Sequence, residues 1–286
     1  MIDIAHLKSW IGRSEVLSDV ATTAPLAGLA ALLDHTVSPW NVGEVPPLGH
    51  WLYFLPHARE SDIDVDGHPK RGGFMPPVPL PRRMWAGNRI EFRAPITIGA
   101  AISRRSVIES VEAKSGKSGD MVFVSVRHDI STDGALAIVE HHDIVYREPP
   151  KSSAIRVDAA KLNLPDEKRA SEWSRAITPD PVQLFRYSAL TFNGHRIHYD
   201  RDYCRDVEGY PGLVVHGPYT ATLLVDHFLR HRPNRQIARL DFRARAPLFD
   251  IASFDLCGRE KDNGAELWAR GPDGGTAMTL SLGTLG

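Results

Sequence analysis

Cysteine is scarce in this chain, with two (Cys204 and Cys257) among 286 residues. They have neither the paired spacing of a zinc site nor the density of a disulfide-stapled secreted domain, so a reducing, cytoplasmic setting is expected. Charge of one sign is not in excess either, since 34 Lys and Arg face 35 Asp and Glu. That balance argues against a dedicated polyanion-binding surface, and nucleic acid is not an expected partner. No apolar run approaches the ~20 residues that a membrane helix needs, and Met1-Ile2-Asp3-Ile4 lacks a basic stretch followed by an apolar one. No membrane association is expected. Missing too are a G-x-G-x-x-G after a strand and a G-x-S-x-G elbow, which disfavours Rossmann hydride transfer and α/β-hydrolase chemistry. Gly116-Lys117-Ser118 resembles the end of a phosphate-binding loop, but Val111 stands where that loop requires glycine, so the segment reads as a hairpin turn.

With 42% hydrophobic and 24% charged residues, the rest is ordinary globular protein. Glu148-Pro149-Pro150-Lys151-Ser152-Ser153 interrupts a strongly alternating segment and divides the chain into units 1–150 and 151–286. In the first unit, Leu26, Leu29, Ala30 and Leu33 recur at helical spacing over Pro25–His35, and a Pro/Gly-rich region follows to Pro81. Alternating strands are then expected near Ile90–Arg93 and over Ala101–Lys114, Met121–Ile130 and Leu136–Arg147, with Thr132-Asp133-Gly134 as one turn. In the second unit, helices at Pro181–Leu190 and Pro218–Arg230 precede strands at Ile237–Arg243, Ser253–Glu260, Glu266–Arg270 and Thr276–Leu282. Ile90-Glu91-Phe92-Arg93-Ala94-Pro95 is echoed by Leu240-Asp241-Phe242-Arg243-Ala244-Arg245-Ala246-Pro247 at the matching place in each half. The fold class is therefore α+β: two related units, each a long helix against a curved antiparallel sheet, with the sheets meeting edge to edge.

Thirteen histidines invite a metal, but their spacing does not. His141 and His142 are neighbours in a strand and face opposite sides. His195-x-x-His198 lacks a third ligand at sensible spacing and is not helical, so no metal is expected. The informative run is Tyr187–Asp200, YSALTFNGHRIHYD, followed by Gly209–Pro218, GYPGLVVHGP. A helix ends in a loop crowded with Asn and His, and Pro218 opens the next helix, which sets Gly217 at its entrance. There a backbone N–H can polarise a carbonyl, while an imidazole and an amide on the preceding loop hold and deprotonate a water.

This run resembles the signature of the MaoC-like hot-dog dehydratases, in which an S-G-D-x-N-P-[ILV]-H segment is followed by [IV]-V-H-G. His198 falls on that family's catalytic histidine, Asn193 on its catalytic aspartate, and Gly217 on the glycine that binds the thioester carbonyl, while His195 and Arg196 replace its Asn and Pro. The wording is similar to the subgroup of type 2 hydroxyacyl-thioester dehydratases and mesaconyl- or itaconyl-CoA hydratases. In that subgroup the first half, with Arg82-Arg83-Met84-Trp85-Ala86-Gly87, resembles a degenerate FAS1-like dehydratase hot dog that shapes the acyl pocket. The resemblance thus implies a double hot dog, with the catalytic segment in 151–286.

What it implies chemically is the reversible hydration of an α,β-unsaturated acyl thioester. His198 is the acid/base, Asn193 positions water and Gly217 N–H holds the thioester carbonyl. Asparagine takes no proton, so the family's two-residue base cannot work unchanged. Tyr210 and Trp85 are expected to line the acyl pocket, which Trp40, Trp51, Tyr53 and Phe54 would shorten to favour a short or branched dicarboxylic acyl group. Arg196 is then a candidate partner for a distal carboxylate. Arg82, Arg83, Arg89 and Arg93, with Arg230, Arg232, Arg235 and Arg239, are candidates for the carrier's phosphates. The carrier is coenzyme A or an acyl carrier protein. No cofactor is expected apart from coenzyme A as part of the substrate, and a homodimer is expected by analogy with the fold. Two other readings stay open. A thioester hydrolase would have Asp226 as the acid within Pro218–Arg230, and a non-catalytic thioester binder is allowed by Asn193 in place of aspartate.

Overall fold

The computed structural model describes residues 2–37, 40–116, 119–148, 170–233 and 235–285. Beyond Glu148, the expected unit boundary lies outside the described residues, as do Lys117 and Ser118 of the expected hairpin turn.

The alternating segments form strands that run longer than their clearest patterns. β1 (Ser14–Val20), β2 (Arg82–Phe92), β3 (Ala101–Gly116), β4 (Gly119–Thr132) and β5 (Ala135–Arg147) make up the first half. β6 (Trp173–Ile177), β7 (Ile237–Ala244), β8 (Phe254–Lys261), β9 (Gly264–Arg270) and β10 (Thr276–Thr284) make up the second. In β4, Val122, Val124, Val126 and Ile130 are buried on one face, the period-two pattern of a strand with one face in a core. Asp133 and Gly134 both take positive φ, 47° and 83°, which suits a two-residue turn matched to strand twist.

All ten strands join one antiparallel sheet in the order β1-β3-β4-β5-β2-β7-β10-β9-β8-β6. The seam between halves is β2 against β7, where Ile90 lies opposite Leu240 and Asn88 opposite Phe242. The two echoed segments are therefore partners across the seam, and the expected edge-to-edge pairing is present. At Gly87 the strands approach so closely that an added Cβ would stand 2.3 Å from Phe242 O. A register shift between Trp85 and Gly87 bends β2 at this point.

Three longer helices share the main core with the sheet. α2 (Thr23–Leu32) buries Leu26, Leu29, Ala30 and Leu32. It stops short of His35 because Asp34 turns left-handed, with φ 60°. α3 (Pro181–Thr191) starts where the Asp180 side chain accepts from Val182 N and Gln183 N, and ends at Phe192, φ 47°. α4 (Gly217–His231) is buried without a break from Tyr219 to Leu229 and packs on β8, β9 and β10. Contact between α2 and α3 brings the two halves' helices together. One core cluster joins these helices to both halves of the sheet, and a smaller one of Leu7, Val78, Leu80, Ile108 and Tyr146 lies under the far ends of β3 to β5. A short helix α1 (Ile4–Lys8), β1 and β6 carried no signal that sequence reasoning could use. In β1 only Glu15 and Asp19 are less than fully exposed, so no apolar alternation marks it.

Candidate active site

A cavity of about 700 Å³ opens between the halves. Trp51, Tyr53, Phe54 and Trp85 line it, as expected of residues that limit acyl length, whereas Trp40 packs edge-on against His35 elsewhere. From the second half come α3, the loop at Asn193 and Gly194, Tyr199, and Pro218 at the start of α4. α3 therefore forms one wall, and the loop it ends in adds Asn193, Gly194 and Tyr199, while His195, His198 and Gly217 stand behind this lining rather than in it.

His198 is buried in that loop, and its Nδ1 lies 2.8 Å from Val214 O. A carbonyl only accepts, so Nδ1 carries the proton and Nε2 keeps its lone pair, the tautomer a base at Nε2 requires. The ring stacks on His216, with centroids 3.6 Å apart and planes at 18°. His216 is held in turn by a 2.8 Å contact between its Nε2 and Ser188 Oγ of α3. It is also the residue before Gly217, so the stack fixes His198 beside the entrance of α4. As the first residue of that helix, Gly217 has an N–H with no intrahelical acceptor. Its open Cα face is covered by the Trp85 indole, and an added Cβ would stand 2.4 Å from Trp85 Cε3. Burial, then the neighbouring His195, pushes the His198 imidazole down to about 3, so the ring is neutral near pH 7.

Asn193 lines the cavity, and its Oδ1 accepts from His195 N at 3.0 Å. That turn commits the carbonyl and leaves the amide N–H₂ for a cavity water. Against this loop docks a turn from the Pro/Gly-rich region. Arg196 N donates to Asp66 O at 2.9 Å, Arg196 Nη1 donates to Val65 O at 3.1 Å, and an added Cβ on Gly67 would collide with Gly194 O at 1.8 Å. His68 on this turn lines the cavity, and its ring lies 4.0 Å from that of His195. Asp66, His68 and His195 bring one side-chain N or O each within 4.8 Å of one another. Both Asp66 oxygens already accept from His68, Oδ1 from its backbone N at 2.9 Å and Oδ2 from Nδ1 at 3.0 Å, so the carboxylate serves the imidazole.

A second polar group lies deeper, on β2 and β5. Trp85 Nε1 donates to Asn88 Oδ1 at 2.6 Å, and Asn88 Nδ2 donates to Glu140. Glu140 also accepts from His50 Nε2 at 3.0 Å and Trp51 Nε1 at 3.1 Å. Burial alone would raise this carboxyl, but the His50 bond and the imidazoles of His50, His128 and His142 hold it at about 2. His142, read from sequence as structural, lines the cavity with His128, while His141 faces outward to Glu109. Arg104 also lines the cavity, its guanidinium over the Phe54 ring and its buried Nε without a partner among the described residues.

Other expectations for the site need correction. Tyr210 is not part of the cavity lining; it packs against Phe249 and the Arg82 guanidinium, and Arg82 is itself paired with Glu208. Arg196 is committed to Asp200 and stacks over Tyr203, so it is a strut of the loop rather than a free cation. Among the arginines considered for phosphates, Arg89, Arg93, Arg230 and Arg232 are paired with Asp143, Glu91, Asp226 and Glu260. Arg83 remains close to the site, where after burial its charge helps keep His142 near 4. Asp226 is buried in a cluster with His35, Arg175 and Arg230, outside the cavity. Sequence reasoning missed Asp66, His68, Asn88, Arg104, His128 and Glu140. The one available signal was polar residues at inward positions of β3, β4 and β5.

A family model described as "Hydroxyacyl-thioester dehydratase type 2" matches residues 48–250. The chain is 48% identical to a mesaconyl-C(4)-CoA hydratase of Chloroflexus aurantiacus, over 97% of this chain and 98% of that protein. It is 26% identical to a mitochondrial hydroxyacyl-thioester dehydratase type 2 of Schizosaccharomyces pombe, over 88% and 91% of the two chains. Among solved structures, HtdX of Mycobacterium tuberculosis superposes with a TM-score of 0.65 at 19% identity, covering 96% of this chain and all of that one. A second M. tuberculosis protein, described as having a double hot-dog fold, superposes at 0.56 and 13% identity, over 96% of each chain. The expected double hot dog is thus the observed fold.

Proposed function

Because the chain belongs to the hydroxyacyl-thioester dehydratase type 2 family, we propose that it catalyses the reversible addition of water across the double bond of an α,β-unsaturated acyl-CoA. The observation that carries this reading is the His198–His216–Gly217 arrangement, which sets a neutral imidazole with a free Nε2 lone pair beside a helix-entrance N–H. The thioester carbonyl accepts from Gly217 N–H, where the helix end favours the negative charge of the enolate. The Asn193 amide donates to the water oxygen, and His198 Nε2 takes the water's proton as the new C–O bond forms at the β-carbon. In the other direction, a 3-hydroxyacyl thioester loses water through the same groups.

The acyl group we infer is short or branched and dicarboxylic, of the mesaconyl or itaconyl type. The wall of indoles limits length, and Arg104 with the neutral imidazoles of His128 and His142 offers a cation and hydrogen-bond partners at the deep end. No group beyond the coenzyme A of the substrate enters this chemistry. A hydrolase reading finds no support in Asp226, whose carboxylate is consumed by three cationic or imidazole partners.

The test is incubation with crotonyl-CoA and mesaconyl-CoA while absorbance of the conjugated thioester and free thiol are followed together. Loss of conjugation without thiol is the expected result for mesaconyl-CoA. Release of thiol would replace the reading with hydrolysis, and no change with either substrate or a wider acyl panel would leave a binding protein.

A further inference from the structure

Hydration moves two protons: one leaves the water, and one arrives at the α-carbon. In this chain Asn193 cannot carry either. We propose that His68, oriented by Asp66, is the second proton-transfer group of this active site, delivering the α-carbon proton while His198 receives the proton of water. The inference rests on the hydratase reading above and adds to it a residue from the other half of the molecule.

The geometry is built for such a role. The Asp66 carboxylate accepts from His68 Nδ1 at 3.0 Å, which fixes the ring and directs Nε2 away from the turn. His68 lines the same cavity as Asn193, and its ring meets His195, which is set edge-on to His198 with centroids 5.4 Å apart. The turn is locked to the catalytic loop by the Arg196 bonds to Asp66 O and Val65 O. An imidazole presented this way by an ionised carboxylate is a common acid/base device.

Environment also separates the two imidazoles. Facing His68 are Asp66, His195, Arg83 and Arg71, with the His198 ring beyond His195. Burial lowers His68, but the Asp66 hydrogen bond and charge oppose the fall, whereas the groups that act on His198 among the described residues are His195, His68 and the Val214 carbonyl. Burial still outweighs Asp66, so the His68 imidazolium is the minor form near pH 7 and its proton is drawn from solvent, but the carboxylate on Nδ1 stabilises that form and makes His68 the acid and His198 the base for hydration. In that step a water O–H bond breaks to Nε2 of His198, the C–O bond forms at the β-carbon and the π pair moves to the carbonyl oxygen. The enolate then takes the proton from His68 Nε2 at the α-carbon, and exchange with solvent restores both rings.

The experiment compares the full-length chain with His68→Gln and Asp66→Asn, using mesaconyl-CoA and crotonyl-CoA. His68→Gln is expected to lower kcat roughly 10²–10⁴-fold with KM changed far less. It should also abolish the alkaline fall of the hydration rate, and His68→Gly should recover rate with added imidazole. Asp66→Asn should shift the alkaline limb to lower pH. A folded His68→Gln protein within threefold of the parent kcat overturns the proposal, as does activity lost on chelator dialysis and regained with zinc. If His68→Gln does not fold, imidazole rescue of His68→Gly decides, and its absence overturns the proposal. Failure of the parent chain on every acyl substrate would instead sink the hydratase reading.

Discussion

At the scale of single residues, the site turns on what an asparagine can and cannot do. Asn193 Oδ1 is tied to His195 N, so the side chain can offer water only its amide protons. In the proposed mechanism His198 is therefore left to accept the proton alone, and its folded-state value of about 3 keeps it neutral across the pH range of most assays. His198→Ala is expected to lower hydratase turnover by roughly 10²–10⁴-fold while the protein still folds. Asn193→Ala should cause only a partial loss, because a water can still reach Nε2 without the amide. Steady-state rates on mesaconyl-CoA for both variants check this, and an unchanged His198→Ala rate would remove that ring from the mechanism. Lowering the pH to 5 should not silence His198 itself, since the ring takes up a proton only well below that.

At the scale of elements, the sheet seam is the place where one atom decides most. Gly87 has no room for a side chain, because the backbone of β7 passes 2.3 Å from the Cβ position at Phe242 O. A backbone carbonyl cannot swing aside as a side chain can, so Gly87→Val must part β2 from β7 or break the bulge. A loss of roughly 2 kcal/mol or more is expected, measured as the shift in urea midpoint at constant m. The echo of Ile90–Pro95 in Leu240–Pro247 made these two strands recognisable, and it also foretold their pairing, since related edges of a duplicated unit meet each other. Periodicity placed α2, α3 and α4 and the long strands because each buries one face. β1 and β6 went unread because edge strands need no such pattern. The candidate site was legible only where it is local in sequence: the proposed Asn193, His198 and Gly217 lie within one run of chain. His68, Arg104 and Glu140 reach the cavity through tertiary folding, and nothing near them in the chain betrays their partners. Arg196 and Tyr210 erred in the opposite direction. Each lies close in sequence to the catalytic run, but their side chains are taken up by Asp200 and by Phe249 with Arg82.

At the scale of the whole molecule, imidazoles are drawn out of water in the cavity wall (His128, His142), behind it (His195, His198) and on α4 (His227), and this binds stability to pH. Burial brings His128, His195 and His198 to about 3 and His142 and His227 to about 4, against 6.5 for the exposed ring. A folded-state value below the unfolded one means that the unfolded chain binds more protons throughout the interval between them. The stability these rings contribute is complete above about pH 6.5 and is lost as pH falls toward 4 and then 3. Each ring contributes up to about 1.4 kcal/mol per pH unit within its interval, so several acting together give a steep acid limb that begins before the ordinary carboxylates titrate. Glu140 adds to the same side, because its depressed value places its own loss between about pH 4.5 and 2. Urea unfolding at pH 7.5, 6.5 and 5.5 should show little change over the first step and a marked fall over the second. His142→Asn should flatten the second step by about one proton, and an equally steep limb in that variant would mean that the ring is already protonated in the folded state. Buried neutral imidazoles thus join the proposed chemistry to fragility: His198, the proposed base near pH 7, is among the rings whose protonation destabilises the fold in acid.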